Sequence, residues 1–269
     1  MTQPIQQPPV VFSIAGSDPS GGAGIQADIK TISALRGYAA AAITAVTSQN
    51  TYGVQGVYPL PPEVVQTQIA SVMDDLQPVA VKIGMVYSLP LVEVIADAIA
   101  HYHPQFVVYD PVMISTSGRR LMTEETVQGI TQLLFPRCTL ITPNLDEASM
   151  LLAHPLKTPE EMELGGQQLA ARYGCHVLVK GGHLSGETMC DVLCSADATF
   201  RFSSPKSTSH NLHGTGCTLS SAIATLLAHG HPMKQAVEEA KRYICCAIEG
   251  GKEWHIGHGN GPLCHLFQG

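Results

Sequence analysis

The sequence predicts an α/β fold in three layers: a mostly parallel central sheet flanked by helices, with a small hairpin at the sheet edge. Three observations carry this expectation. Short, nearly continuous apolar runs recur at 79–83, 106–109 and 176–179, the pattern of strands buried on both faces. Amphipathic stretches of helical length separate several of them. Polar or charged side chains stand where strands give way to loops, at Gln49, Asp110 and Lys180, which is where open parallel sheets bind their ligands.

The chain has 269 residues and is expected to form one domain over 10–269, because α/β folds of this size keep one continuous core. Hydrophobic residues make up 45% and charged residues 14%, which supplies a buried sheet and excludes a largely disordered chain. The formal net charge of −7 argues against bulk attraction to nucleic acid or an anionic membrane, so a phosphate would have to be held locally. Residues 1–9 have no basic cluster followed by an apolar core and are expected to be a disordered lead-in, not a secretory signal. No apolar run approaches the roughly 18 residues that span a bilayer. Eight cysteines without paired Cys-x-x-Cys spacing suit reduced thiols, so the expected compartment is the cytoplasm. The oligomeric state is left open, a homodimer included.

In chain order, 10–15 reads as a buried strand and 16–24 as a glycine-rich loop before a helix reaching about Leu35. The Gly21-Gly22-Ala23-Gly24 run fits neither the dinucleotide fingerprint nor a Walker A loop. Asp28, one turn into that helix, could face the same mouth, or could simply join Lys30 on a polar helix face. Residues 39–48 are ambiguous between alanine-rich helix and β-branched strand, and the second half is assigned as a strand ending at Gln49-Asn50. A helix is expected from Pro61 to about Asp75, a strand at 79–83 closing on Gly84-Met85, and a helix from Leu91 to about His101. The strand 106–109 ends on Asp110-Pro111-Val112, and 139–142 repeats the pattern before Pro143-Asn144. Asn144 with Glu147 three residues on fits a capping box. The strand 176–179 delivers Lys180-Gly181-Gly182, and 191–194 with 199–202 read as the edge hairpin. The last two helices are expected at about 215–228 and 233–249.

The chemistry concentrates in His213-Gly214-Thr215-Gly216-Cys217-Thr218. Gly214 and Gly216 allow close backbone approach, and a helix beginning near Thr215 aims unpaired N–H groups at an anion. Cys217 in its first turn would feel the positive end of the helix dipole, which favours the thiolate and suits it to accept a proton or attack an electrophile. The same residues also fit plain turn chemistry and a small buried cysteine.

Several motifs together resemble one family over most of the chain, from about Val11 to Leu266. They are Ala15-Gly16-Ser17-Asp18-Pro19-Ser20-Gly21-Gly22-Ala23-Gly24-Ile25-Gln26-Ala27-Asp28, Gln49-Asn50-Thr51, Lys82-Ile83-Gly84-Met85, Thr142-Pro143-Asn144-Leu145-Asp146-Glu147, Val179-Lys180-Gly181-Gly182-His183 and the 213–218 turn. The chain resembles the hydroxymethylpyrimidine and hydroxymethylpyrimidine-phosphate kinases of thiamine biosynthesis, within the ribokinase-like superfamily. The resemblance implies that Gly16, Asp28, Gln49, Met85 and Val112 surround the pyrimidine. It further implies that Asn144, Lys180, Gly182, Gly214, Thr215 and Gly216 serve ATP, that Asp110 and Glu147 lie on the Mg²⁺ side, and that Cys217 is the catalytic base where the sugar kinases have an aspartate. The residue types agree with that chemistry. A glutamine amide can pair bidentately with the adjacent donor and acceptor of an aminopyrimidine. A lysine, glycine N–H groups and Mg²⁺ can spread the charge of a loose phosphoryl-transfer transition state.

Two departures stand out: Ser117-Gly118 is followed by Arg119-Arg120 where the family commonly has an acidic residue, and the proline-rich lead-in is outside the pattern. His255, His258, Cys264 and His265 near the C-terminus fit no common zinc spacing. The nearest alternative activity is a pyridoxal or pyridoxine kinase on the same site. More distant ones are a Cys217/His213 hydrolase or acyltransferase, and a non-catalytic pyrimidine-binding protein.

Overall fold

The computed structural model describes residues 7–113, 122–182, 184 and 186–267. Residues 1–6 of the expected lead-in, the Ser117–Arg120 departure and His183 lie outside the described residues. The strands are β1 (Val10–Ser17), β2 (Tyr38–Asn50), β3 (Gly53–Pro59), β4 (Ala80–Ile83), β5 (Phe106–Tyr109), β6 (Leu140–Ile141), β7 (His176–Val179), β8 (Thr188–Cys194) and β9 (Thr199–Pro205). The helices are α1 (Gly24–Ala34), α2 (Pro62–Leu76), α3 (Leu89–Tyr102), α4 (Glu124–Gly129), α5 (Leu145–Leu152), α6 (Pro159–Tyr173), α7 (Thr215–Ala228) and α8 (Met233–Gly250).

The described strands form one nine-stranded sheet in the order β3-β2-β1-β4-β5-β6-β7-β8-β9. Pairing is parallel from β2 through β7 and antiparallel at β2–β3, β7–β8 and β8–β9. Side chains alternate across each strand, and both faces are apolar, as a doubly covered sheet requires. Phe12, Val81, Val107, Ile141 and Val177 face α2, α3, α5 and α6, while Val11, Ala80, Val108, Leu140 and Leu178 face α1, α7 and α8. The result is the expected three-layer arrangement. The chain leaves β1 toward β2 on one side and toward β4 on the other, so the strand order reverses at the carboxyl end of β1. An open α/β sheet has its crevice there.

Four elements differ from the sequence expectation. The whole alanine-rich segment is strand, because residues 38–43 pair in parallel with β1, and this sheet pairing overrides alanine's preference for helix. β3, with Gly53, Gly56 and Pro59 disrupting its apolar pattern, was not foreseen. Nor were α4, with the π and 3-10 turns that follow it, or α6 with its central Gly165-Gly166 pair. The edge hairpin is where it was expected, with both strands longer.

Candidate active site

The carboxyl ends of β1, β2, β4, β5 and β7 and the start of α7 surround a cavity of about 480 Å³. The loop after β1 is built on Asp18, whose carboxylate accepts hydrogen bonds from the backbone N–H groups of Ser20 (2.8 Å), Gly22 (3.1 Å) and Ala23 (2.8 Å). Burial raises the Asp18 acid, but bonds from His213, Ser20 and Ala23 outweigh it and hold the group down at about 2. This loop meets the turn before α7 backbone to backbone. Gly214 starts α7 with φ +85, and a Cβ there would fall 1.8 Å from the Gly22 carbonyl oxygen, so only glycine fits.

Just past β5, Asp110 accepts a 2.6 Å bond from Lys180, which follows β7, and a 3.0 Å bond from Thr142. Gly216 faces this pair so closely that a Cβ would stand 3.0 Å from Asp110 Oδ2. Asn144 caps α5 in a full capping box with Glu147, whose carboxylate accepts from the Asn144 and Met113 N–H groups at 2.8 and 3.2 Å. Burial and Asp110 push Glu147 up to about 7, with Lys180 pulling the other way. Two carboxylates, one lysine and a helix start thus converge on one space.

Of the residues expected from sequence, Gly16, Gln49, Met85, Val112, Asp110, Asn144, Glu147, Lys180, Gly182, Gly214, Thr215, Gly216 and Cys217 all line this cavity. Two expectations need correction. Asp28 does not line it: its side chain is fully buried, paired with Lys82 at 2.8 Å and bonded to Ser13 (2.6 Å) and Ser221 (2.7 Å). Those three partners make its oxygens the tie between β1, α1, β4 and α7, which also removes it from any exposed face shared with Lys30. Cys217 is not a favoured thiolate. Burial pushes its thiol up to about 11; Lys82 opposes this and Asp28 and Asp110 add to it, so desolvation outweighs the helix dipole. His213 directs Nε2 at Asp18 and Gln49, and no His213–Cys217 hydrogen bond forms among the described residues. That leaves a Cys/His hydrolase without its base.

Sequence reasoning missed Asp191 and Lys241, which also line the cavity. Asp191 pairs with Lys241 at 2.5 Å and accepts the Gly181 N–H at 2.8 Å, anchoring the turn that carries Lys180. The lone charged residue in an otherwise largely apolar strand was the available signal.

Known proteins are similar to this chain over most of its length. A family model described as phosphomethylpyrimidine kinase matches residues 18–264. The hydroxymethylpyrimidine/phosphomethylpyrimidine kinase of Escherichia coli is 44% identical over 257 residues, covering 95% of this chain and 96% of that protein. A bifunctional thiamine biosynthesis protein of Geobacter sulfurreducens is 41% identical, and there the chain spans only 52% of the relative's length. The crystal structure of phosphomethylpyrimidine kinase from Clostridium difficile superposes with a TM-score of 0.80 at 40% identity, over 89% of this chain and 99% of that one. Pyridoxal kinase of Bacillus subtilis, solved as an ADP complex, gives 0.89 at 33% identity over 97% and 98%. With the family model matching residues 18–264, the chain belongs to the phosphomethylpyrimidine kinase family.

Proposed function

We propose that this chain transfers the γ-phosphoryl group of ATP to the hydroxymethyl group of 4-amino-5-hydroxymethyl-2-methylpyrimidine, and then a second one to the monophosphate, in thiamine biosynthesis. The observation that carries this reading is the Lys180–Asp110 pair set against the Gly214–Gly216 turn in the same cavity as Gln49. Lys180 and the α7 N–H groups supply positive charge where a transferring phosphoryl group develops negative charge. Gln49 offers an amide to the pyrimidine edge. The kinase and ADP-bound relatives support nucleotide use.

Asp110 and Glu147 are the carboxylates we assign to the Mg²⁺ side. Among the described residues no group of three or more metal-ligating side chains is present, so the donor set suits an ion held by one or two carboxylates and the nucleotide's own phosphates. Mg²⁺ bound there would neutralise charge on the phosphate oxygens. We place the reaction in the cytoplasm, where the eight unpaired cysteines stay reduced. Among the described residues no helix is long and apolar enough to cross a membrane.

The fold similarity to pyridoxal kinase keeps pyridoxal as the second substrate to try. Coupled ADP release with the pyrimidine alcohol, its monophosphate and pyridoxal decides between them. Turnover of pyridoxal alone would remove the pyrimidine assignment.

A further inference from the structure

His213 stands between the two glycine-rich loops, held by its own N–H to the Gly261 carbonyl at 3.1 Å. Its Nε2 lies 2.8 Å from Asp18 Oδ2 and 3.2 Å from the side-chain amide of Gln49. The other end of that amide lies 3.2 Å from Thr47 Oγ1, and this hydroxyl lies 3.0 Å from the Ser17 carbonyl oxygen. A half-turn of the side chain exchanges the amide nitrogen and oxygen, so which atom faces which neighbour follows from the protons available.

Thr47 has one hydroxyl proton; with the amide NH₂ turned toward it, the hydroxyl can donate to the Ser17 carbonyl and accept from Gln49. At the other end, the ionised Asp18 carboxylate can also only accept, so His213 Nε2 carries a proton. The amide atom that shares this proton must be the oxygen. The Asp18–His213 end selects this orientation, and the Thr47 end accommodates it. Once these bonds are made, Gln49 retains one N–H and one oxygen lone pair, and the residue lines the cavity.

We propose that His213 is a positioning residue for substrate selection, its Nε2–H holding the Gln49 amide so that the free edge presents a fixed donor beside a fixed acceptor to the ring. A 4-aminopyrimidine alcohol matches this edge: its ring nitrogen accepts from Gln49 and its amino group donates to it. A pyridine alcohol whose ring nitrogen is flanked by carbon substituents has no such pair and leaves the amide unsatisfied. The proposal rests on the kinase reading given above.

Steady-state kinetics on His213→Leu, His213→Gln, Gln49→Ala and the Gln49→Ala/His213→Leu double variant test it, with KM measured for the pyrimidine alcohol, pyridoxal and ATP. His213→Leu should raise the KM of the pyrimidine alcohol about tenfold, with kcat and the KM of ATP changed by less than about twofold. His213→Gln, which keeps an N–H donor at similar reach, should recover most of the loss. On the Gln49→Ala background His213→Leu should add nothing, because the residue through which it acts is gone. Thr47→Val removes the opposite anchor, carries the same expectation and serves if His213→Leu does not fold. An equal effect of His213→Leu with and without Gln49 would overturn the proposal, as would a parallel rise for pyridoxal or ATP. Wild-type turnover of the pyrimidine alcohol with an unchanged KM in these variants overturns this proposal alone. Absence of wild-type turnover overturns the kinase reading with it.

Discussion

Lys180 donates to Asp110 across 2.6 Å, closing the charges at the ends of β7 and β5 on each other beside the turn that opens α7. Burial lowers the Lys180 ammonium's tendency to keep its proton, but Asp110 and Glu147 more than restore it, so the group stays cationic. An incoming phosphoryl group can then share a charge that is already in place. Lys180→Met should lower kcat about 10²- to 10³-fold while the KM of the pyrimidine changes by less than about threefold. Full turnover at saturating ATP and Mg²⁺ would take Lys180 out of the mechanism.

The Asp28–Lys82 pair is a structural tie and not a ligand contact. Both side chains are fully buried, so removing one leaves the other as an uncompensated charge. Lys82→Met should destabilise the fold by about 3–5 kcal/mol in urea unfolding. Asp28→Asn should lower the melting temperature while the KM of the pyrimidine stays within about twofold. A tenfold KM change at unaltered stability would return Asp28 to the substrate site.

What the sequence made legible follows from how far each residue's role is local. Gln49, Asp110 and Lys180 are chemistry-bearing residues that end apolar runs, and a parallel sheet brings such ends together whatever the details. Asn144 and Glu147 are three residues apart, so their capping box is local too. Asp28 looked like a ligand because helical spacing places it one turn from Gly24. Its actual partners, Lys82 and Ser221, lie 54 and 193 residues away, and nothing local announces them. The same holds for Asp191, whose lysine is 50 residues on, and for the desolvation of Cys217, which depends on what packs over it. β3 and α6 carry glycines inside their spans and are held by pairing and packing that local propensity does not express.

His265 near the C-terminus makes a 3.0 Å hydrogen bond with Thr218, one residue past Cys217, and is buried. Burial, with a smaller contribution from Lys30, lowers its imidazole from 6.5 to about 4. The unfolded chain therefore takes up this proton as pH falls through 6.5, while the folded chain resists until about 4. Stability from this residue is complete above 6.5 and is lost between 6.5 and 4. The loss is on the order of 3 kcal/mol. His265→Gln keeps a hydrogen-bond partner for Thr218 and does not titrate, so its urea midpoint should fall less than wild type's between pH 7.5 and 4.5. Parallel losses in the two proteins would assign the acid sensitivity elsewhere.

Cys217 separates the two reactions of the proposed site. In the first, the nucleophile is an alcohol that must lose a proton; in the second it is a phosphate oxygen, already largely ionised at neutral pH because the second pKa of a phosphate monoester is near 6. With the thiol pushed up to about 11, Cys217 holds its own proton in the free protein at pH 7. It can act as base only through the thiolate minority. Cys217→Ala should lower alcohol phosphorylation by about 10² or more, the lower end of general-base effects, and monophosphate phosphorylation by less than about threefold. Wild-type alcohol phosphorylation should climb from pH 7 to pH 9 as the thiolate fraction grows, a rise absent in Cys217→Ala and absent for the monophosphate. Single-turnover rates with saturating ATP give all four profiles. Equal losses for both substrates in Cys217→Ala would mean that the residue shapes the turn between Gly214 and α7 and takes no proton.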